Sequence, residues 1–422
     1  MCQWHMFSTD RSGAETWECV ARSNPQAQTL QAMKGMKTLR SGRNRRKWIY
    51  VLLLMGLLGL SGCGSPSSAS VEMSSQTELV KTGSMELQYA ENFAVDYYED
   101  GYKMLTTLPD SKRYLLVPEG QPVPRGLDED VSILQEPLQN IYLVASGVMD
   151  MFASLDAVGQ IRFSGQKQEN WYIQTAKDAM AAGDMIYAGK YSKPDYELLV
   201  SEGCDLAIEN RMITHSPEVV EMLQSFGIPV MIEYSSYEQH PLGKVEWVKF
   251  FGALTGKEAE AEEAFAEQTE ILEKVERGEK TGKTIAFFYV TSNGLIQVRQ
   301  STDYIPKLIE LAGGRYIFED LEDSGSGRST LNMQVEDFYA GAKDADILIY
   351  NSSIDGGVTT LDELIGKCNI LKDFKALQEG QVYCTTNDMY QQSMAIGYLL
   401  QDMHTVLTDD DTAKLRYLFL LQ

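Results

Sequence analysis

The residues that most often carry catalysis or hold metals are few and scattered in this sequence. Its four histidines stand at positions 5, 215, 240 and 404. His215 lies beside a predicted helix start and His240 precedes a proline at another, so ordinary backbone and solvent contacts explain both. The sequence has no Gly-x-Ser-x-Gly turn, His-Glu-x-x-His helix or Cys-His set. We therefore expect no enzyme, no resident metal and no cofactor.

A glycine-rich segment from Gly278 to Thr284 resembles a phosphate-binding loop without meeting its requirements. The phosphate loop needs four residues between its two glycines, and only three separate Gly278 from Gly282. It should also follow a strand and begin a helix, whereas this segment follows a predicted helix and begins a predicted strand. Nucleotide binding is therefore excluded. A net charge of −23, from 37 basic and 60 acidic residues, also excludes nucleic acid, which needs a basic face.

A targeting signal lies near the amino terminus. The basic run Arg43–Lys47 precedes the apolar run Trp48–Leu60, which leads into Leu60-Ser61-Gly62-Cys63. These are the basic, apolar and small-residue regions of a secretory signal. An apolar run of this length spans only about 20 Å, so a transmembrane anchor, the competing interpretation, is disfavoured. Leu-Ser-Gly-Cys resembles the bacterial lipobox, which implies lipid on Cys63 and an extracytoplasmic, membrane-tethered protein.

This targeting signal divides the chain into a leader and a mature protein. We predict a leader over residues 1–62, with translation starting at Met33 or Met36; a long basic region remains the alternative. The serine- and glycine-rich residues 63–84 are predicted to be a flexible tether. If Cys63 is acylated, Cys204, Cys368 and Cys384 remain, an odd number without metal-binding spacing. Free thiols are expected, although one disulfide among the three stays open.

The remaining chain predicts an α/β protein with two Rossmann-like lobes. Residues 85–118 alternate short aromatic strands with turns, which indicates a small β-meander at the start of an amino-terminal lobe over 85–240. Strands, among them Val158–Phe163, then alternate with helices, which predicts a mainly parallel sheet covered on both faces. Residues 241–279 lack strand signals and predict one long helix between the lobes, which could bend at Gly252 or Gly256. Strand and helix alternate again over 280–422, the carboxy-terminal lobe. Its predicted elements include strands Thr284–Val290 and Ile296–Arg299 and five helices, two of them Asn332–Ala342 and Tyr390–Leu407.

The order of these elements resembles a known family over about residues 136–407. Characteristic stretches are 141–163, 196–210, 227–230, 304–314 and 335–351. With the lipobox, they resemble the ABC-transporter solute-binding proteins of the iron-siderophore, haem and cobalamin group. The resemblance implies a receptor that captures a metal complex, with an ATPase-driven permease as its partner, and we expect a monomer. The meander lies outside the family pattern.

The resemblance also implies candidate site residues. In that family one acidic residue from each lobe pairs with arginines of the permease, and the matching positions here are Glu197 and Glu336. The ligand crevice should lie where the strand ends of the two lobes face each other. Its candidate residues follow predicted strands or could supply flat walls: Ser146, Arg162, Trp171, Tyr187, Arg211, Tyr234, Asn293, Arg299, Asn351 and Tyr390.

Two arginines are the preferred ligand contacts among these candidates. Arg162 and Arg299 come from different lobes, and a buried cation neutralises an anionic ferric chelate or a haem propionate. The long helix should limit lobe motion, which favours a preformed cleft. Haem or cobalamin in place of a siderophore complex stays open. An extracytoplasmic enzyme on the same lobes and a purely structural lipoprotein are the alternatives from other classes.

Overall fold

The computed structural model describes residues 79–321, 329–352 and 357–422 in full, together with the backbone of two strands near the amino terminus. Strands β1 (Gln3–Thr9) and β2 (Glu15–Val20) pair antiparallel within a separate unit, Met1–Met73. Cys63 and the tether as far as residue 78 lie outside the described residues. The unit Ser74–Gln422 carries the three sheets described next.

A five-stranded sheet stands where the meander was predicted, and it is larger than expected. Its strands, in spatial order, are β3 (Lys81–Ser84), β4 (Phe93–Tyr98), β5 (Lys103–Thr107), β6 (Lys112–Val117) and β7 (Val131–Gln135). The first four pair antiparallel, and β7 runs parallel to β6. The end of the predicted tether is therefore a strand, because Asp96 of β4 receives a hydrogen bond from Ser84 and an ion pair from Lys81, both at 2.7 Å.

The amino-terminal lobe contains the parallel sheet that the sequence predicts. Its strands are β8 (Ile141–Leu143), β9 (Ile161–Ser164), β10 (Ile186–Tyr187), β13 (Leu206–Asn210) and β14 (Val230–Glu233), and a short hairpin adds β11 (Gly189–Lys190) and β12 (Lys193–Pro194). The sheet order is β10-β9-β8-β13-β14, with every pair parallel. The lobe's helices are α1 (Val148–Ser154), α2 (Gln174–Ala182), α3 (Tyr196–Ser201) and α4 (Pro217–Ser225).

The segment between the lobes is a helical hairpin rather than one continuous helix, and the chain reverses at Gly256, one of the two glycines where a bend was expected. Helix α5 (Pro241–Thr255) ends at Gly256, which has the left-handed φ of 70° that favours glycine, and α6 (Glu258–Glu276) folds back along it. The ammonium of Lys249 lies 4.5 Å from the ring centroid of Phe265. A straight helix would separate these two residues by about 24 Å. Gly252 permits the close packing, since a Cβ there would lie 2.6 Å from Ala261.

The carboxy-terminal lobe contains a mixed sheet in place of a mainly parallel one. Its strands are β15 (Thr284–Val290), β16 (Ile296–Arg299), β17 (Arg315–Tyr316), β18 (Thr330–Met333), β19 (Ile347–Tyr350), β20 (Val382–Thr385) and β21 (Leu418–Leu420). The order is β18-β16-β15-β19-β20-β21, and β17 also pairs with β15. The central pairs are parallel, whereas β16, β18 and β21 at the edges are antiparallel.

The helices of this lobe follow the predictions in number but not in every boundary. They are α7 (Tyr304–Leu311), α8 (Val335–Ala342), α9 (Leu361–Lys367), α10 (Lys375–Gln378) and α11 (Ile396–Thr408). A helix was expected from Asn332, which instead lies in β18. Another was expected from Tyr390, but α11 begins six residues later, after a short 3-10 turn at Ser393–Ala395. The residues before that turn form a loop that reaches the other lobe.

Helix α5 lies in the core of the unit Ser74–Gln422. All its residues from Pro241 to Leu254 are buried. On one side Phe93 of the amino-terminal sheet packs edge-on against Trp247, with ring centroids 4.9 Å apart. On another side Phe152 of α1 lies 5.6 Å from Phe251. A helix covered by the added sheet and by the lobes can place a charged side chain at the base of the space between them.

Candidate functional site

A cavity of about 460 Å³ opens where the two lobes face each other. Its wall in the amino-terminal lobe comes from the segments that follow β8, β13 and β14. Helix α5 contributes Lys244, and the loop before α11 contributes Tyr390 and Ser393 from the carboxy-terminal lobe. The cavity therefore lies at the carboxyl ends of parallel strands, the position at which α/β sheets bind ligands.

Local hydrogen bonds fix the strand ends that line this cavity. Asn210 ends β13, and its side-chain oxygen accepts a 2.9 Å hydrogen bond from the backbone N–H of Met212. Glu233 ends β14, and its Oε2 accepts hydrogen bonds from the N–H and the hydroxyl of Ser235, at 2.8 and 2.6 Å. These side-chain caps turn the chain sharply after each strand and leave Arg211, His215 and Tyr237 on the cavity wall.

Two loops join the lobes directly beside the cavity. The side chain of Gln391 accepts a hydrogen bond from the backbone N–H of Tyr172 and donates one to the carbonyl of Asn170, both at 2.8 Å. Asp150 of α1 accepts a 2.7 Å hydrogen bond from the backbone N–H of Met394. Because these contacts lie on both sides of Ser393 and next to Tyr390, the loop before α11 is held at the cavity's edge.

The cavity wall carries both cations and carboxyl groups. Arg211 lies with its guanidinium carbon 4.5 Å from the ring centroid of Tyr237. Burial raises the pKa of Glu233, opposed by its hydrogen bonds from Ser235 and by the charge of Lys244. Burial likewise raises the pKa of nearby Asp150 to about 6, opposed by the Met394 N–H and again by Lys244. A solute with anionic oxygens matches the two cations, and the raised pKa values of the two carboxyl groups reduce their preference for the charged form.

Lys244 is a charged side chain on the cavity wall that sequence reasoning missed. It is only 4% exposed, and its ammonium lies 4.6 Å from the ring centroid of Tyr304 in α7. A lysine within a helix usually reads as a solvated side chain. The signal that could have revealed it is its helix, where Lys244 stands among large apolar residues over Pro241–Leu254 with no polar face to occupy.

The structure brings three predicted ligand residues together on the cavity wall. Ser146 follows β8, Arg211 follows β13, and Tyr390 comes from the opposite lobe. Asn351 lies behind Tyr390, and its side-chain amide donates a 2.7 Å hydrogen bond to the tyrosine hydroxyl. The guanidinium of Arg299 lies 5.5 Å from the same ring and pairs with Asp303 at 3.3 Å. Arg299 therefore supports Tyr390 rather than lining the cavity.

Arg162, one of the two preferred ligand contacts, lies outside the cavity wall. Strand β9 starts at Ile161, so Arg162 stands at its amino end, at the edge of the sheet opposite the cavity. Its guanidinium donates to the carbonyls of Gly183 and Asp184, at 2.8 and 2.9 Å, and pairs with Glu202. These contacts occupy the cation in a structural role.

Four further candidates also lie outside the cavity wall. Trp171 is buried and donates a 3.0 Å hydrogen bond from its indole nitrogen to the hydroxyl of Ser164. Tyr187 is exposed on the edge strand β10, and Tyr234 is buried beside Tyr237, with centroids 6.5 Å apart. Asn293 lies in the turn between β15 and β16, where its side-chain oxygen accepts a 2.6 Å hydrogen bond from Thr291.

The two predicted docking residues occupy equivalent places in the two lobes. Glu197 is in the first turn of α3 and Glu336 in the first turn of α8. Both are exposed. A carboxylate in a first helical turn is stabilised by the helix dipole, so both positions favour a fixed surface charge.

The described part of the chain offers no clustered metal ligands. Within it, no group of three or more histidine, cysteine, aspartate or glutamate side chains is arranged to hold a metal. Cys204, Cys368 and Cys384 form no disulfide with one another. No helix among the described residues is both long and apolar enough to cross a bilayer.

Comparisons with known proteins agree on this architecture. No family model matches the chain. An uncharacterised lipoprotein of Methanocaldococcus jannaschii is 24% identical over 394 residues, covering 85% of this chain and 92% of that protein. The periplasmic haem-binding protein HutB of Vibrio cholerae superposes with a TM-score of 0.51 at 15% identity, covering 63% of this chain and 98% of that one. An ABC-type Fe³⁺-hydroxamate transport protein of Saccharomonospora viridis gives a TM-score of 0.50 at 16% identity, covering 64% and 93%. The chain therefore shares the two-lobe fold of these binding proteins.

Proposed function

We propose that this protein is an extracytoplasmic solute-binding lipoprotein of an ABC importer, and that it captures an iron(III)-siderophore-type complex. The single observation that carries the proposal is the cavity between the lobes, lined by Arg211, Lys244 and Tyr390. Its position and its mixture of cations and aromatic rings suit an anionic chelate too large for one lobe to enclose.

The cavity has features that favour capture without large domain closure. Gln391 and Asp150 already hydrogen-bond across the lobes beside it. Helices α5 and α6 are held together by the contacts of Lys249 with Glu262 and Phe265, which disfavours a free hinge between them. We therefore propose a largely preformed cleft, with ligand entry requiring small loop movements rather than rotation of a lobe.

Attachment and delivery complete the proposed role. Lipid on Cys63 tethers the protein to the outer face of the cell membrane, as the lipoprotein name of its archaeal relative supports. Glu197 and Glu336 present one carboxylate from each lobe to arginines of a permease, which an ATPase drives. The protein acts as a monomer that binds and releases its solute, and it catalyses no reaction.

Haem is the second candidate ligand, favoured by one feature of the wall. Tyr237 and Tyr390 come from opposite lobes and both line the cavity, and aromatic faces suit a planar macrocycle. A neighbour in fold is a haem-binding protein. Propionates of haem would meet the same two cations as a ferric chelate.

Native mass spectrometry of the mature chain, purified from its own cells, tests the proposal. A retained mass accompanied by a visible absorption band is expected, and the band separates ferric chelates, haem and corrinoids. Equilibrium dialysis against iron-55 complexes of citrate, a catecholate and a hydroxamate covers a ligand lost during purification. A protein that retains nothing and binds none of these complexes would refute the proposed function.

A further inference from the structure

We infer that Lys244 and Ser393 form a subsite for an anionic oxygen group of the solute, a carboxylate in chemical class. The subsite lies where helix α5 and the loop before α11 meet at the cavity. The inference rests on the proposed function only in that the bound solute supplies the carboxylate.

The first observation is that the Lys244 ammonium has no polar partner within the described chain. The residue is 4% exposed and lines the cavity, and its only close partner among the described residues is the ring of Tyr304. No hydrogen bond or ion pair within the described chain engages its three donors. Buried ammonium groups are normally paired, because leaving water without an acceptor is costly. The remaining acceptors are those that enter the cavity, either water or an oxygen group of the solute.

Lys249 shows how the same helix treats a lysine that has no ligand to bind. It is also nearly inaccessible, at 3% exposure, yet its ammonium pairs with Glu262 at 2.9 Å and with Glu246 at 3.5 Å. One turn and a residue separate the two lysines along α5. Carboxylates of α5 and α6 therefore pair with Lys249, which faces α6, and none pairs with Lys244, which faces the cavity.

The second observation is the hydroxyl of Ser393. It is 1% exposed, lines the same cavity, and has no hydrogen-bond partner within the described chain. The adjoining residue, Met394, donates its backbone N–H to Asp150, whose carboxyl also interacts with the charge of Lys244. Ser393 and Lys244 are thus neighbours of one carboxyl group, and together they provide a charged and a neutral donor for the same oxygen group.

The carboxyl groups around Lys244 do not substitute for the ligand. Glu233 takes its hydrogen bonds from Ser235, Asp150 takes one from Met394, and Asp303 pairs with Arg299. Each influences Lys244 only through its charge. None of them forms a hydrogen bond or ion pair with the Lys244 ammonium, so its donors remain for the solute. A neutral or cationic complex without a carboxylate gains nothing here.

Small carboxylates provide the direct test. The thermal unfolding midpoint of the mature chain is measured against citrate, oxalate and acetate at constant ionic strength, with chloride as reference. Citrate and oxalate should stabilise the wild type, and Lys244→Gln should weaken apparent citrate binding by more than about tenfold. Ser393→Ala should weaken it by about three- to tenfold, and Lys244→Arg should retain most of it.

A matched control and the contrary outcomes complete the design. Lys343→Gln removes a surface lysine that also lies over a tyrosine ring, 5.8 Å from the Tyr339 centroid, and should leave citrate binding unchanged. Ser393→Ala keeps the test valid if Lys244→Gln fails to fold. A wild type that no carboxylate stabilises, or that responds as Lys244→Gln does, overturns the subsite. Failure of the proposed function looks different: carboxylates stabilise the protein through Lys244, but no metal complex binds.

Discussion

The Oε2 atom of Glu246 accepts a 2.8 Å hydrogen bond from the backbone N–H of Tyr89, which lies 157 positions earlier in the chain. The same carboxylate also accepts the N–H groups of Gln88 and Ala90. The Glu238 carboxylate likewise accepts hydrogen bonds from the backbone N–H groups of Glu91 and Asn92. These two buried carboxylates join the amino-terminal sheet to α5, so the sheet is part of the support of the cavity rather than a separate appendage.

Removing this junction should destabilise the protein strongly. Glu246→Ala leaves three backbone donors and Lys249 without their buried acceptor, so the free energy of unfolding should fall by about 3–5 kcal/mol. Glu262→Ala removes the other partner of Lys249, which is 61% exposed, and should cost less than about 1 kcal/mol. Urea unfolding of both variants measures the difference. Equal losses of unfolding free energy in the two variants would show that the buried Glu246 stabilises the protein no more than the exposed Glu262 does.

Two of the three predicted arginines, Arg211 and Arg162, should differ in their effect on ligand affinity. Arg211→Ala removes a cation from the cavity wall and should weaken binding of ferric citrate by more than about tenfold. Arg162→Ala removes a cation already bound to carbonyls at the opposite edge of the sheet and should leave the affinity unchanged. Calorimetric titration of the two variants checks this. A loss for Arg162→Ala that matched Arg211→Ala would contradict the placement of the cavity.

Glu209 of β13 predicts a pH dependence of stability. It is fully buried, neither carboxyl oxygen has a partner within the described chain, and burial raises its pKa to about 8. The folded state therefore keeps a proton that the unfolded state releases near pH 4, so this residue's contribution to stability falls as pH rises from about 4 to 8, by up to about 1.4 kcal/mol per unit.

The substitution Glu209→Met should remove that dependence. The variant's free energy of unfolding should exceed that of the wild type by little at pH 5 and by steadily more up to pH 8. Urea unfolding at several pH values from 5 to 8 measures this difference. Glu221→Met changes an exposed glutamate of α4 and should give the same difference at every pH. A stability difference for Glu209→Met that does not vary with pH would show that the carboxyl is ionised or partnered in the folded protein.

Much of the sheet framework was predictable because its strands are long apolar runs between turn residues. Thr284–Val290 and Ile296–Arg299 appear with the predicted bounds. Pairing partners distant in sequence were not predictable in this way. Asn332 joins a strand because Leu331 pairs with Val298, a tertiary contact that overrides the local helical pattern. The helical hairpin likewise depends on the left-handed conformation at Gly256, although a bend at that glycine was a reasonable expectation.

The candidate site was predictable in position and less so in membership. The rule that ligands bind at the carboxyl ends of strands led to Ser146 and Arg211, which do line the cavity. It failed for Arg162 because the strand begins three residues later than predicted, which moves this arginine from the end of a strand to its start. Lys244 and Ser393 follow no strand. Their place on the cavity wall results from packing between α5 and the loop before α11, which periodicity does not reveal.

Charge reversal at the docking positions should separate transport from binding. The double variant Glu197→Lys with Glu336→Lys should lower uptake of an iron-55 complex by cells to less than about a tenth, because like charges would meet the permease arginines. Solute affinity should stay unchanged, since both residues lie on the surface and outside the cavity wall. Glu169→Lys with Glu319→Lys reverses two other exposed glutamates, and normal uptake is expected. Normal transport by the docking variant would refute the assignment.

The most direct test of the account is a calorimetric titration of the mature chain with ferric complexes of citrate, a catecholate and a hydroxamate, and with haemin. The wild type should bind at least one of these, and Ser146→Trp, which fills the cavity from the amino-terminal lobe, should abolish that binding while the protein stays folded. Equal affinity in the wild type and in folded Ser146→Trp would contradict a solute site between the lobes.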